Sequence, residues 1–212
     1  DPGVSLAEDE ARIEAVRDAL GVSGLIRIDA NAAWDVDEAT RAIRLLERAA
    51  GGLEYVEQPC ATLEEMAALR RRVDVPLAAD ESVRTAEDPL RIAGLEAADI
   101  VVVKVQPLGG VRRALAVIEA AGLPAVVSSA VETSVGLSAG LALAAALPEL
   151  PHACGLGTAM LLAGDVVADP LVPVDGRLRV RRVEPDPELL ERWAPGDPEA
   201  VLDRYRAAAA AA

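Results

Sequence analysis

Residues Asp99–Gln106 read DIVVVKVQ, an apolar stretch that contains the chain's one lysine, Lys104. A run of Val and Ile with little polar alternation is typical of a parallel strand buried on both faces. Similar runs elsewhere predict five more such strands, at Leu25–Ala30, Leu53–Pro59, Pro76–Glu81, Ala125–Ala130 and Ala153–Gly157. Leu178–Val183 predicts a further short strand.

Segments with helical spacing of apolar residues separate these strands. They predict helices at Ser5–Leu20, Val36–Ala50, Leu63–Val73, Ala86–Gly94, Val111–Ala121 and Ser134–Leu147. Ser5 with Glu8 and Thr62 with Glu65 fit capping boxes, and Asp35 fits an N-cap. The alternation predicts right-handed βαβ units, either in an open doubly wound sheet or in a (β/α) barrel. No GxGxxG follows the first strand, which removes the main support for a dinucleotide-binding sheet.

The alternating pattern ends near Val166, and turns follow at Asp169-Pro170 and Asp175-Gly176. We therefore expect residues 1–171 to form a partial (β/α) barrel. Residues 172–212, whose last part is rich in Pro, Asp and Glu, are expected to form a C-terminal extension that packs on the barrel or trails from it.

Composition excludes several classes of function. The net charge of −14 disfavours binding to nucleic acid or to anionic membranes. Two cysteines, Cys60 and Cys154, are too few for a disulfide framework and fit a reducing cytoplasm. No apolar run is long enough to predict a membrane span.

A polar residue or a glycine closes each predicted barrel strand. Such positions recur once per strand–helix unit, and the carboxyl ends of parallel barrel strands meet where active sites are built. In chain order these residues are Asp29, Glu57, Asp80, Lys104, Ser128 with Ser129, and Gly155 with Gly157.

The first three form a candidate metal site. Three carboxylates at adjoining strand ends would repel one another, and a divalent cation would relieve the repulsion. Oxygen ligands without His or Cys favour Mg²⁺, with Mn²⁺ as an alternative. The competing interpretation is that Asp29, Glu57 and Asp80 are unrelated helix caps or turn residues.

Other strand-end residues have two interpretations each. Lysine is rarely buried in a strand. Lys104 is therefore either catalytic or extends its ammonium out of the barrel end. Ser128, Ser129 and Glu132 either contact substrate or cap the next helix. Gly155 and Gly157 either let backbone N–H groups approach an anion or serve a turn. His152, the only histidine, is expected to be structural.

Six segments together resemble the enolase superfamily. They are DANAAW (Asp29–Trp34), VEQPC (Val56–Cys60), ADES (Ala79–Ser82), VKVQPLGG (Val103–Gly110), SSAVETSVG (Ser128–Gly136) and ACGLGT (Ala153–Thr158). Within it they are similar to the actinobacterial o-succinylbenzoate synthases. The resemblance implies a modified TIM barrel with a capping domain, and Mg²⁺ held by Asp29, Glu57 and Asp80. It further implies a catalytic Lys104 and substrate-site contacts from Asn31, Ser128, Ser129, Gly155 and Gly157.

The implied reaction is Mg²⁺-dependent syn-dehydration of 2-succinyl-6-hydroxy-2,4-cyclohexadiene-1-carboxylate, a lyase step of menaquinone biosynthesis. The chain departs from the family because it has no K-x-K motif. We therefore expect an N-terminally truncated barrel that lacks the capping domain and the first strands. The alternatives are an N-succinylamino-acid racemase, a dipeptide epimerase, or a fragment that is inactive alone.

Overall fold

The computed structural model describes residues 5–84 and 88–210. Five short strands form one sheet: β1 (Ile28–Asp29), β2 (Val56–Glu57), β3 (Leu77–Ala79), β4 (Ile100–Lys104) and β5 (Ala125–Ser128). The helices are α1 (Leu6–Leu20), α2 (Val36–Ala50), α3 (Leu63–Arg70), α4 (Asp88–Leu95), α5 (Val111–Ala121), α6 (Ser134–Ala146), α7 (Pro187–Arg192) and α8 (Pro198–Ala210). A short 3₁₀ helix spans Thr158–Leu161.

The sheet confirms the predicted fold class. Its strands lie in chain order from β1 to β5, and every neighbouring pair is parallel. A helix follows each strand, as right-handed crossovers require. The described strands and helices thus form a partial (β/α) barrel.

Aliphatic side chains fill both faces of the sheet. On the face towards the helices, buried residues such as Val56, Leu77 and Val101 pack with Ile43 of α2. The alternate residues form a second buried cluster of Tyr55, Ala78, Ile100, Val102 and Val126. Because side chains alternate along a strand, this second cluster occupies the barrel interior.

The predicted helix starts are confirmed. Ser5, Asp35 and Thr62 each form a capping box with the acidic residue three positions on. Helix α6 begins differently, because Thr133 makes no side-chain cap bond. Asp165 instead accepts hydrogen bonds from the Ser134 backbone N–H and from its hydroxyl, at 3.0 and 2.6 Å.

Two predicted strands are wrong. Ala153–Gly157 contributes only an isolated bridge between Gly155 and Ser128. Carbonyls of this segment accept hydrogen bonds from side chains: Arg27 donates to the Ala153 carbonyl and Ser129 to the Gly155 carbonyl.

Leu178–Val183 pairs with no strand in the described part of the chain. The predicted turn at Asp175-Gly176 is present, closed by a bridge between Val174 and Arg177. Both central residues have positive φ, 48° and 72°.

Beyond this turn the tail holds α7 and α8, which the sequence interpretation did not assign. The first residues predicted for the fourth helix, 86 and 87, lie outside the described residues. The division between a barrel at residues 1–171 and an extension at 172–212 stays a prediction. None of the helices within residues 5–84 and 88–210 is long and apolar enough to cross a membrane.

Candidate active site

The carboxyl ends of the strands bring the predicted site residues to one edge of the sheet. Asp29 on β1 is in register with Glu57 on β2. Lys104 on β4 is in register with Ser128 on β5. Ser128 in turn bridges to Gly155. Parallel pairing therefore places these residues side by side.

Asp80 and Lys104 form a buried ion pair at the centre of this edge. Asp80 follows β3, and its side chain is 3% exposed. The Lys104 ammonium donates a hydrogen bond to Asp80 Oδ2. The other oxygen, Asp80 Oδ1, is buried and has no hydrogen-bond partner among the described residues. The Arg84 guanidinium lies 3.9 Å from Oδ1, close enough for an ion pair but not for a hydrogen bond, so this oxygen can still accept from a further donor or cation.

Burial and mutual repulsion disfavour the ionised forms of the carboxylates at this edge. Burial first, and then the charges of Asp29 and Asp80, raise the pKa of Glu57 to about 8 against the opposing effect of Lys104. Partial burial also raises the pKa of Asp29, which lies on the exposed edge strand, while the backbone N–H of Asn31 opposes this at 2.8 Å. A positive charge at this edge would stabilise the ionised forms.

A divalent cation fits this donor set. Within residues 5–84 and 88–210, no group of three or more acidic, His or Cys side chains is placed so that it could hold a metal ion. Nevertheless Asp29, Glu57 and Asp80 influence one another's charge, and the buried Asp80 Oδ1 has no hydrogen-bond partner among the described residues. Oxygen donors of this kind suit Mg²⁺ or Mn²⁺.

The predicted substrate-contact residues at the end of β5 and in the Gly155 segment contact one another. The Ser129 hydroxyl donates to the Gly155 carbonyl at 2.7 Å and lies 3.0 Å from the Thr158 hydroxyl. A Cβ on Gly155 would lie 2.7 Å from Ser128 Oγ, so Gly permits this close contact. Gly157 precedes the 3₁₀ helix. Direct substrate contact by Ser128, Ser129, Gly155 and Gly157 stays a prediction.

Sequence reasoning left two residues at this edge, Glu81 and Gln58, unassigned, and it gave Glu132 the same two interpretations as Ser128 and Ser129. Glu81 is a fourth carboxylate at this edge, and burial raises its pKa. Glu132 accepts from the Ala130 N–H at 3.2 Å, and burial raises its pKa against the effect of Gln106 and Lys104. Gln58 is fully buried directly after Glu57. Their positions in the ADES, SSAVE and VEQPC segments were the available signal.

Residues expected to be structural lie elsewhere. His152 Nδ1 is 2.7 Å from Glu54 Oε1, and its ring meets the Tyr55 ring edge-on at 5.6 Å. Glu54 and Tyr55 precede β2, so this contact lies at the amino-terminal end of the strands. Cys60 is fully buried, and burial raises the pKa of its thiol to about 11. It is a core residue.

The family described as enolase C-terminal domain-like matches residues 1–187. The chain belongs to this family. The superfamily resemblance is therefore confirmed, and with it the assignment of the parallel sheet to an enolase-type barrel.

Curated relatives extend the comparison. The chain is 65% identical over 209 residues to an o-succinylbenzoate synthase from Thermobifida fusca, covering 99% of this chain and 65% of that protein. The synthase of Mycolicibacterium smegmatis is 57% identical over 198 residues, covering 93% and 60%. That of Mycobacterium tuberculosis strain H37Rv is 55% identical over 191 residues, covering 90% and 57%. The chain thus spans less than two thirds of the length of these relatives.

Solved structures of this enolase-type barrel are also similar. Muconate cycloisomerase from Pseudomonas fluorescens matches with a TM-score of 0.82 and 30% identity, covering 90% of this chain and 55% of that one. The L-Ala-D/L-Glu epimerase from Bacillus subtilis matches with a TM-score of 0.76 and 30% identity, covering 86% and 52%.

Proposed function

We propose that this chain supplies barrel strands and catalytic residues of a Mg²⁺-dependent o-succinylbenzoate synthase. The substrate would be 2-succinyl-6-hydroxy-2,4-cyclohexadiene-1-carboxylate, and the step would belong to menaquinone biosynthesis. The observation that carries this proposal is the 65% identity to a protein of that name across 99% of the chain.

In this proposal Asp29, Glu57 and Asp80 hold the metal, which acts as a Lewis acid when bound. Lys104 places an ammonium beside these carboxylates, where it stabilises negative charge that develops on the substrate. Asn31, Ser128, Ser129, Gly155 and Gly157 surround the substrate as predicted. The two cysteines are free thiols, which supports a cytoplasmic location.

A racemase or epimerase is the second candidate, because the Bacillus subtilis epimerase shares 30% identity and the same fold. The test measures kcat/KM for dehydration of the cyclohexadiene carboxylate and for racemisation of N-succinyl amino acids. We expect dehydration to have the higher kcat/KM. A higher kcat/KM for racemisation would instead favour a racemase or epimerase.

A third candidate is a chain that does not catalyse the reaction by itself. Lys104 is its only lysine, and the K-x-K motif of the enolase superfamily is absent from its sequence. Assay of residues 1–212 by themselves separates this candidate from the others. Absent turnover with intact Mg²⁺ binding would favour it.

A further inference from the structure

Gln58 is a buried polar residue with an unusual backbone. It directly follows β2, and no part of it is exposed. Its φ is +34°, a left-handed value that is uncommon for a residue other than glycine. Such a conformation persists only where surrounding contacts enforce it.

The contacts of the Gln58 side chain use its full hydrogen-bonding capacity. Oε1 accepts from the backbone N–H groups of Asp80 and Ser82, at 2.9 and 3.3 Å. Nε2 donates to the Cys60 carbonyl and to the Ser82 hydroxyl, both at 2.9 Å. A side-chain amide has two N–H donors and one oxygen with two lone pairs, so this group is satisfied.

The Gln58 backbone reaches the neighbouring strands on both sides. Its N–H donates to the Ala78 carbonyl of β3 at 2.8 Å, and its carbonyl accepts from the Ala32 N–H at 2.7 Å. Ala32 belongs to the loop that follows Asp29 on β1. Gln58 therefore makes hydrogen bonds to the loop after β1, to its own loop after β2, and to β3 with the loop that follows it.

We infer that Gln58 is a positioning residue that fixes the spacing of the strand ends carrying Asp29, Glu57 and Asp80, so that their carboxylates converge on one divalent cation. This inference rests on the proposed metal site. An amide suits the task because it supplies both donors and acceptors without adding charge. Glutamate would lose both donors and add a carboxylate to an edge that already holds four.

The test compares Gln58→Met with Ser134→Ala by isothermal titration calorimetry with MgCl₂ alone. Met keeps a similar length but makes none of the four bonds. Ser134 is an equally buried polar residue whose hydroxyl donates to Asp165 and not to Asp29, Glu57 or Asp80, so its loss is a matched control for stability. Titrations are made at a temperature where both variants are folded by circular dichroism.

We expect Gln58→Met to weaken Mg²⁺ binding on the order of 10- to 100-fold, as removal of residues that orient metal ligands does. Ser134→Ala should keep the wild-type Kd even where it lowers the Tm as much. Wild-type affinity in folded Gln58→Met would overturn the inference. If that variant does not fold, Ser82→Ala removes one of the four bonds and should weaken binding on the order of fivefold. An unchanged Kd would then overturn the inference.

A second measurement separates this inference from the proposed function. If the wild-type chain binds no Mg²⁺, the metal proposal fails, and amide hydrogen exchange then tests positioning alone. We expect exchange at the Asp80 and Ser82 amides to become faster in Ser82→Ala or Gln58→Met than in Ser134→Ala. Equal exchange in these variants would show that Gln58 does not hold the strand ends.

Discussion

The Lys104 ammonium donates a hydrogen bond to Asp80 Oδ2 and so links the ends of two neighbouring parallel strands. The Lys104 side chain is 17% exposed, and the Asp80 side chain is 3% exposed. Removing one partner of such a pair leaves an uncompensated buried charge, which costs far more than an exposed ion pair contributes. The same ammonium faces Glu57 and Asp29, whose pKa values it lowers against burial. Lys104 thus balances several carboxylates at once.

Lys104→Met should therefore destabilise the metal-free chain by about 3 kcal/mol, measured by urea unfolding in EDTA. Lys104→Arg keeps the charge and should lose less than half of that amount. Methionine removes the charge and arginine places it at a different position, so any turnover should fall on the order of 100-fold in both variants. Equal stability of Lys104→Met and wild type would show that the ion pair is not needed to hold Asp80.

Glu57 should make the metal-free chain less stable as the pH rises. Its pKa is about 8 in the folded chain, against an ordinary pKa of 4.5, so between these values the folded state holds a proton that the unfolded state has lost. The contribution of this proton to the free energy of unfolding is thus fully present below about pH 4.5. It is lost as the pH rises through about 8, by up to ~1.4 kcal/mol per pH unit.

The measurement is urea unfolding in EDTA from pH 5 to pH 9 for wild type and Glu57→Gln. The variant should become the more stable of the two towards pH 9, because glutamine does not ionise. A constant difference between the two proteins across this range would contradict the raised pKa.

Arg27 should hold the segment before Gly155 against the amino-terminal ends of β1 and β2. It donates to the Tyr55 hydroxyl at 2.7 Å and to the Ala153 carbonyl at 2.8 Å, and lies 3.2 Å from Glu54. Arg27→Met should cost about 2–3 kcal/mol. Arg72→Met, which breaks an exposed pair with Asp37, should cost less than about 1 kcal/mol in the same urea titration. Similar losses for both variants would argue against the role of Arg27.

Local signals explain what the sequence predicted well. The bounds predicted for α2 and α5, Val36–Ala50 and Val111–Ala121, match the structure. Helix α2 starts at the Asp35 cap, and both helices end before a left-handed glycine, Gly51 and Gly122. The alignment of Asp29 with Glu57 followed from the repeat length and parallel pairing.

Features set by distant contacts were not predictable in this way. The segment expected as a strand at Ala153–Gly157 forms only a bridge, and its Ala153 carbonyl accepts from Arg27, 126 residues away. The role of Gln58 depends on a left-handed backbone that its sequence neighbours do not reveal. Helix α7 had visible signals, the Asp186 cap and Pro187 at its first position, which the composition of the tail obscured.

The central claim is that Asp29, Glu57 and Asp80 form one divalent-cation site. Isothermal titration calorimetry of MgCl₂ into the wild-type chain and into Asp80→Asn tests it most directly. Asp99→Asn is the matched control, because Asp99 binds Arg70 at the opposite end of β4. We expect one Mg²⁺ per chain in wild type and Asp99→Asn, and binding weakened at least on the order of 100-fold in Asp80→Asn. Equal binding by all three proteins, or no binding by wild type, would contradict the site.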